Sequence, residues 1–91
     1  MITQTTKNID FQREVKVKYN SQDIIVLFRI GDFYKVYNED SLTLSKDLGI
    51  TRTFESEDKC YTACFPAYRL DEFLPRIIRK GHRVCICDQA I

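Results

Sequence analysis

The segment IIVLFRI, residues 24–30, most constrains the fold because its nearly unbroken apolar run cannot alternate between a core and water. Such a run is typical of a strand that is covered on both faces. The dipeptide Gly31-Asp32 then favours a tight turn, and the segment FYKVY, residues 33–37, resumes with a period of two. The sequence therefore predicts a β-hairpin. One face of its second strand carries the side chains of Phe33, Lys35 and Tyr37.

Further elements are predicted on both sides of this hairpin. Apolar residues recur at helical spacing in residues 9–19, 39–50 and 70–81, which predicts three helices. Residues 51–64 predict two short strands around a charged loop, and residues 83–91 predict a closing strand. This order of elements favours an α+β fold, in which three helices flank a mixed sheet of about five or six strands. A chain of 91 residues is expected to form a single domain, over residues 1–91.

The first predicted helix has its apolar face at spacings of four, formed by Phe11, Val15 and Tyr19. Asp10 is the predicted N-terminal cap of this helix.

The other two predicted helices carry clearer end signals. Gly49 and Gly81 are predicted to end them, and Asp71 to cap the start of the last one. Pro75 lies beyond the first turn of the last helix, where it is expected to kink or loosen the helix.

Charge and hydropathy exclude some classes of function. The net charge is +1, so the whole chain lacks the excess of positive charge that is typical of polyanion binding. No apolar run reaches the roughly 18 residues that span a bilayer, and the N-terminus does not resemble a secretory signal. We therefore expect a cytoplasmic protein with no membrane partner. Positive charge is concentrated in one segment, which is either a solvated face or a local binding patch. Its members are Arg69, Arg76, Arg79, Lys80 and Arg83.

Catalytic and metal-binding patterns are weak. His82 is the single histidine, no serine lies in a nucleophile-elbow pattern, and the three glycines are isolated, so no phosphate-binding loop is present. We expect no enzymatic activity, no cofactor and no ATP. The four cysteines have C-x3-C and C-x-C spacings, which favour core packing over a metal site. They are Cys60, Cys64, Cys85 and Cys87.

Two long blocks of the sequence resemble a known family. The block LFRIGDFYKVYNEDSLTLSKDLGITRT resembles the N-terminal mismatch-recognition domain of the bacterial MutS family, where R-M-G-D-F-Y-E follows a hydrophobic strand. The block ACFPAYRLDEFLPRIIRKGHRVCICDQ is similar to the family pattern A-G-I/V-P-Y/H-H-A, then Y-L-x-K-L-V and G-x-x-V-A-I-C-E-Q. The resemblance runs from about residue 12 to Gln89.

The resemblance implies a DNA-binding module of mismatch repair. The phenylalanine of the family motif Phe-x-Glu corresponds to Phe33, which is then expected to wedge into the minor groove at a mispair. Lys35 stands where the family has glutamate, and because an ammonium group only donates hydrogen bonds, mismatch discrimination is expected to weaken while non-specific affinity for phosphate persists. The expected partners are double-stranded DNA, matched or mismatched, and a mismatch-repair protein. The candidate DNA-binding residues are Asp32, Phe33, Lys35, Arg76, Arg79 and Lys80.

Three departures from the family pattern leave alternatives open. Cys64 and Tyr68 replace a family glycine and histidine, which either alters the loop near the DNA-facing surface or only repacks it. The chain stops where the family continues into further domains, so it is either a stand-alone gene product or an excised fragment. The alternative function is a non-catalytic protein-interaction module that has lost mismatch recognition.

Overall fold

The computed structural model describes residues 3–88, which form a five-stranded mixed sheet with helices on both faces. The order of the strands is β3-β4-β2-β1-β5, and only β1 and β5 are parallel. The elements are α1 (Gln4–Lys18), β1 (Ile24–Ile30), β2 (Phe33–Tyr37), α2 (Glu39–Leu48), β3 (Arg52–Glu55), β4 (Cys60–Pro66), a 3-10 turn (Ala67–Arg69), α3 (Leu70–Arg79) and β5 (Arg83–Asp88). The predicted α+β class is confirmed. The part of the closing-strand prediction that covers residues 89–91 lies outside the described residues.

Strand β1 is buried on both faces, as its apolar run predicts. Ile25 and Leu27 belong to a core cluster beneath α2 and α3, whereas Val26 and Phe28 belong to a second cluster on the α1 side. Burial on both sides excludes water from this strand and from most of its neighbour β2. The two cores therefore hold the hairpin between them.

Helix α1 differs from its prediction in its start and in its buried face. It begins at Gln4, and Thr3 is the cap, because its hydroxyl accepts a hydrogen bond from the Thr6 amide at 3.1 Å. Asp10 lies inside the helix, so its prediction as the cap is wrong. Of the predicted apolar face only Val15 is buried, while the exposed fractions of Phe11 and Tyr19 are 39% and 54%.

The buried face of α1 is mostly a polar stripe at spacings of four, formed by Asn8, Gln12 and Lys16. The Asn8 amide donates to the Tyr37 hydroxyl at 3.0 Å, and Gln12 donates to the Tyr37 carbonyl at 3.3 Å. The Lys16 ammonium donates to Asp40 Oδ1 at 2.6 Å. Specific polar partners, rather than apolar burial alone, therefore fix α1 on the sheet.

Helix α3 runs from Leu70 to Arg79 without a break at Pro75, which lies on the exposed side. Burial of Phe73 and Ile77 against the sheet offsets the backbone hydrogen bond that proline cannot make. Asp71 lies within the first turn and the capping position is Arg69, so the prediction of Asp71 as the cap is wrong.

The two glycines that were predicted to end helices lie at those helix ends. Gly49 ends α2 in a left-handed conformation with φ of 73°, and Gly81 follows α3 with φ of 93°.

The cysteines only partly follow the core-packing prediction. Cys60 is buried, and Cys85 and Cys87 pack against the α1-side core, but Cys64 is exposed on β4. No group of three or more metal-ligating side chains is placed to hold an ion among residues 3–88. Within the same residues, no helix is long and apolar enough to cross a bilayer.

Replacing Lys16 with Met should destabilise the protein by about 3 kcal/mol, because it leaves the buried Asp40 carboxylate without its cation. Burial already raises the pKa of Asp40, despite the opposing effects of Lys16 and the Val26 amide. The folded state therefore holds this proton more tightly than the unfolded chain, and stability falls as pH rises through the raised pKa. Urea unfolding of Lys16→Met at pH 4 to 8 should show a loss of stability that grows with pH.

The exposed Lys18 on the same helix is the matched control, and Lys18→Met should change stability by less than about 0.5 kcal/mol. Equal effects of the two substitutions would show that the Lys16–Asp40 pair does not hold α1 in place.

Candidate nucleic-acid interface

Phe33 is the first residue of β2, and its side chain is 48% exposed. It lies on the same sheet face as Tyr37, since residues at i and i+4 of a strand point the same way. Helix α1 covers the Tyr37 end of that face through Asn8 and Gln12, whereas Phe33 remains half-exposed. The aromatic ring therefore stands at the uncovered end of an otherwise buried strand.

The turn before Phe33 is fixed on both sides. Gly31 has a φ of 58°, in the left-handed region that favours glycine. The Arg29 guanidinium donates to the Gly31 carbonyl at 2.7 Å, and the Asp32 carbonyl accepts a hydrogen bond from the Ala67 amide at 2.7 Å. The turn is thus tied to β1 and to the segment after β4, which limits the directions in which the Phe33 ring can point.

Two shallow depressions meet at Phe33. The first lies at the turn and includes Tyr68, whose side chain is 84% exposed. Its lining consists of Arg29, Asp32, Phe33, Pro66, Ala67 and Tyr68. The second lies on the open sheet face and is lined by Ile30, Phe33, Lys35, Thr53, Glu55, Thr62 and Cys64. Phe33 therefore forms a ridge between two concave surfaces.

Lys35 is bound to a carboxylate of its own sheet. Its ammonium lies 2.8 Å from Glu55 Oε2, and the Thr62 hydroxyl donates to the same oxygen at 2.9 Å. Partial burial pulls the pKa of Lys35 down, but the hydrogen bond to Glu55 and the nearby negative charges outweigh it, so this pKa is raised. The same hydrogen bond lowers the pKa of Glu55. Both groups are therefore charged around neutral pH.

The basic residues of α3 do not join this surface. Arg76, Arg79 and Lys80 belong to the end of α3, whose buried face packs in the core on the opposite side of the sheet. The chain after α3 enters β5 at Arg83, which pairs with Ile24 at the end of β1 remote from the turn. The structure thus brings together Asp32, Phe33 and Lys35 of the predicted set. It separates them from Arg76, Arg79 and Lys80.

Two residues of this surface were missing from the sequence prediction. Arg29 carries the only charge in the β1 run, and that isolated charge is a usable signal for a role at the strand end. Glu55 lies in the charged segment ESEDK and gives no such signal, because its approach to Lys35 depends on the order of β2, β4 and β3.

The fold and this surface define a small α+β domain that presents a half-exposed phenylalanine at the end of its central hairpin. The family model described as MutS domain I matches residues 11–91, and the chain belongs to this family.

Curated relatives agree with this assignment. The chain is 46% identical over 79 residues to the DNA mismatch repair protein MutS of Phocaeicola vulgatus, which covers 84% of the chain. It is 43% identical over 77 residues to the protein of the same name from Porphyromonas gingivalis, covering 81% of the chain. The corresponding protein of Thermodesulfovibrio yellowstonii is 40% identical over 78 residues and covers 82%. The chain spans about a tenth of the length of these relatives, 9% in each case.

Replacing Gly31 with Ala should destabilise the protein by about 1 kcal/mol, because a β-carbon disfavours the left-handed backbone at this turn. A β-carbon at Gly31 would have no atom within 4 Å, so a steric clash does not contribute. Gly31→Asn should cost less, since asparagine tolerates this conformation. Chemical denaturation of the two variants measures the difference, and equal losses would contradict a backbone origin.

Proposed function

We propose that the chain is a non-enzymatic DNA-binding module that inserts Phe33 into the minor groove of a distorted or mismatched duplex. The observation that carries this proposal is the half-exposed Phe33 ring beside a turn whose two carbonyls accept hydrogen bonds, one from the Arg29 side chain and one from the Ala67 amide. The curated relatives are DNA mismatch repair proteins, which supports the same partner. The protein acts in the cytoplasm, at the nucleoid when bound, without a cofactor or ATP and beside a mismatch-repair protein partner.

The wedge recognises the deformability of DNA rather than the identity of a base. Inserting an apolar ring between base steps costs a few kcal/mol of stacking energy. A mispaired base is already poorly stacked, so the same insertion costs less there. A pre-positioned ring adds little further ordering cost, since the turn holds Phe33 before binding. The difference between the two insertion costs is the basis of discrimination.

The electrostatics of this surface predict modest affinity and weakened discrimination. Lys35 stands where the family motif Phe-x-Glu has its glutamate, and the N–H groups of Lys35 cannot accept a hydrogen bond from a base edge. Arg29 and Lys35 are the cations nearest the ridge in the two depressions, and each has an intramolecular partner. The net charge of +1 adds little general attraction to phosphate.

A second candidate function is a non-catalytic interaction module for another protein. Phe54 and Tyr61 form an edge-to-face pair with ring centroids 5.0 Å apart, and they are 51% and 42% exposed. The Arg52 guanidinium lies 3.9 Å from the Tyr61 ring centroid. Exposed aromatic and arginine side chains are enriched in protein interfaces. This patch lies on the opposite sheet face from Lys35, so the two functions use different surfaces.

Replacing Phe33 with Ala should weaken binding to a mismatched duplex by roughly tenfold, since a stacked aromatic ring contributes about 1–3 kcal/mol per base. Binding to the matched duplex should change little, because the ring is rarely inserted there. Fluorescence anisotropy titrations of wild type and Phe33→Ala with both duplexes measure this effect.

Phe54→Ala is the matched control, since Phe54 is equally exposed but lies on the other face. It should bind both duplexes as the wild type does. Loss of DNA binding in Phe54→Ala, with none in Phe33→Ala, would favour an interface at β3 over the wedge.

A further inference from the structure

Tyr68 has the most exposed of the large apolar and aromatic side chains between residues 3 and 88, with an exposed fraction of 84%. Its side chain forms no hydrogen bond and no aromatic pair with those residues. The tyrosine that stands in place of the family histidine therefore does not repack the loop, because its ring lies in solvent. A single exposed ring is common on protein surfaces, so its surroundings decide what it can bind.

The backbone on both sides of Tyr68 is fixed. The Ala67 amide donates to the Asp32 carbonyl at 2.7 Å, which joins the 3-10 turn to the hairpin turn. The Arg69 guanidinium donates two hydrogen bonds to the Glu72 carboxylate, at 3.1 and 2.7 Å. Tyr68 therefore presents a free side chain on an ordered backbone, which limits the entropy that binding has to remove.

Strand register brings Tyr68 close to Phe33. Pro66 is the partner of Phe33 in the pairing of β2 with β4, and Tyr68 follows Pro66 by two residues. Both rings line the shallow depression at the hairpin turn, together with Arg29 and Asp32. Two exposed aromatic side chains thus border one concave surface.

The charges of this depression offset each other. Its lining includes one cation, Arg29, and one anion, Asp32. Opposite charges on one small surface give little net attraction for phosphate. A ligand contact here therefore depends on the Tyr68 side chain, which combines an apolar ring with a polar hydroxyl group. A sugar–phosphate strand of DNA has the matching character, since an apolar sugar edge adjoins phosphate oxygens that accept hydrogen bonds.

We propose that Tyr68 is a second DNA contact, which packs its ring on a deoxyribose beside the base step at Phe33 and donates its hydroxyl to the adjoining phosphate. This inference rests on the proposed function, because it takes duplex DNA as the ligand of this surface. A duplex whose minor groove faces the Phe33 ridge brings one of its strands over the depression, since that groove is only about 6 Å wide. Sugars and phosphates are alike at every step, so the contact adds affinity without sequence or mismatch preference.

Replacing Tyr68 with Ala should weaken binding to the matched and the mismatched duplex equally, by about tenfold each, because the packing of the ring and the hydrogen bond are lost together. Tyr68→Phe should lose about threefold, since it keeps the ring and removes the donor. The ratio of the two dissociation constants should stay as in the wild type. The salt dependence should also stay, because a neutral phenol displaces no counterion from DNA. Fluorescence anisotropy titrations at several salt concentrations measure these quantities.

Tyr19→Ala is the matched control, because Tyr19 is also exposed, at 54%, and lies beside Ile24 at the end of β1 remote from the turn. It should bind both duplexes as the wild type does. NMR of labelled tyrosine rings gives a second readout, in which either duplex should shift the Tyr68 signals and leave those of Tyr19 unchanged. Urea unfolding of Tyr68→Ala should match that of the wild type, which assigns its loss of binding to the contact and not to the fold.

The outcomes separate this inference from the proposed wedge. If Phe33→Ala loses the preference for mismatched DNA while Tyr68→Ala binds as the wild type does, the wedge stands and the Tyr68 contact is wrong. If Tyr68→Ala weakens binding to both duplexes while Phe33→Ala keeps the preference, the contact stands and the wedge is wrong. A change of the ratio in Tyr68→Ala, or a wild type that binds neither duplex, would also overturn the contact.

Discussion

The Asp40 carboxylate joins three elements, and the arrangement of the whole domain depends on it. Its Oδ1 atom accepts a hydrogen bond from Lys16 of α1, and its Oδ2 atom accepts one from the Val26 amide of β1 at 3.0 Å. Strand β1 pairs with β2 only through residues 28–30, so the Val26 amide needs an acceptor from elsewhere. The Asp40 side chain, at the start of α2, thus provides the acceptor for a buried amide of β1 and also binds the lysine that fixes α1 across this strand.

This junction also determines which part of the sheet stays open. The side chains of the polar stripe of α1 donate hydrogen bonds to three residues close to the β2–α2 junction, which are Tyr37, Glu39 and Asp40. Helix α1 therefore covers the end of β2 remote from the turn and leaves Phe33 and Lys35 accessible. On the opposite face α2 and α3 share a continuous apolar core with Tyr34. Exposure of the Phe33 ring is a consequence of where α1 is held, rather than of the hairpin alone.

Apolar periodicity could predict most of the fold, because burial follows directly from it. The run in residues 24–30, the alternation in residues 33–37 and the glycine at the end of α2 all correspond to the observed elements. The buried face of α1 could not be found in this way, since its stripe is polar and its partners are 24 to 29 residues distant in sequence. The Lys35–Glu55 pair was equally hidden, because it depends on β4 lying between β2 and β3.

The candidate site carries an aromatic ring and an ion pair on one face of the sheet. Phe33 and Lys35 are two residues apart on β2, and Glu55 reaches Lys35 from β3 across the intervening strand β4. The ring and the ion pair arise from one hydrogen-bonded sheet, so the spacing between them is set by the pairing of its strands. Lys35 is therefore held by Glu55 on the same face as the exposed ring, and its positive charge is largely offset within the domain.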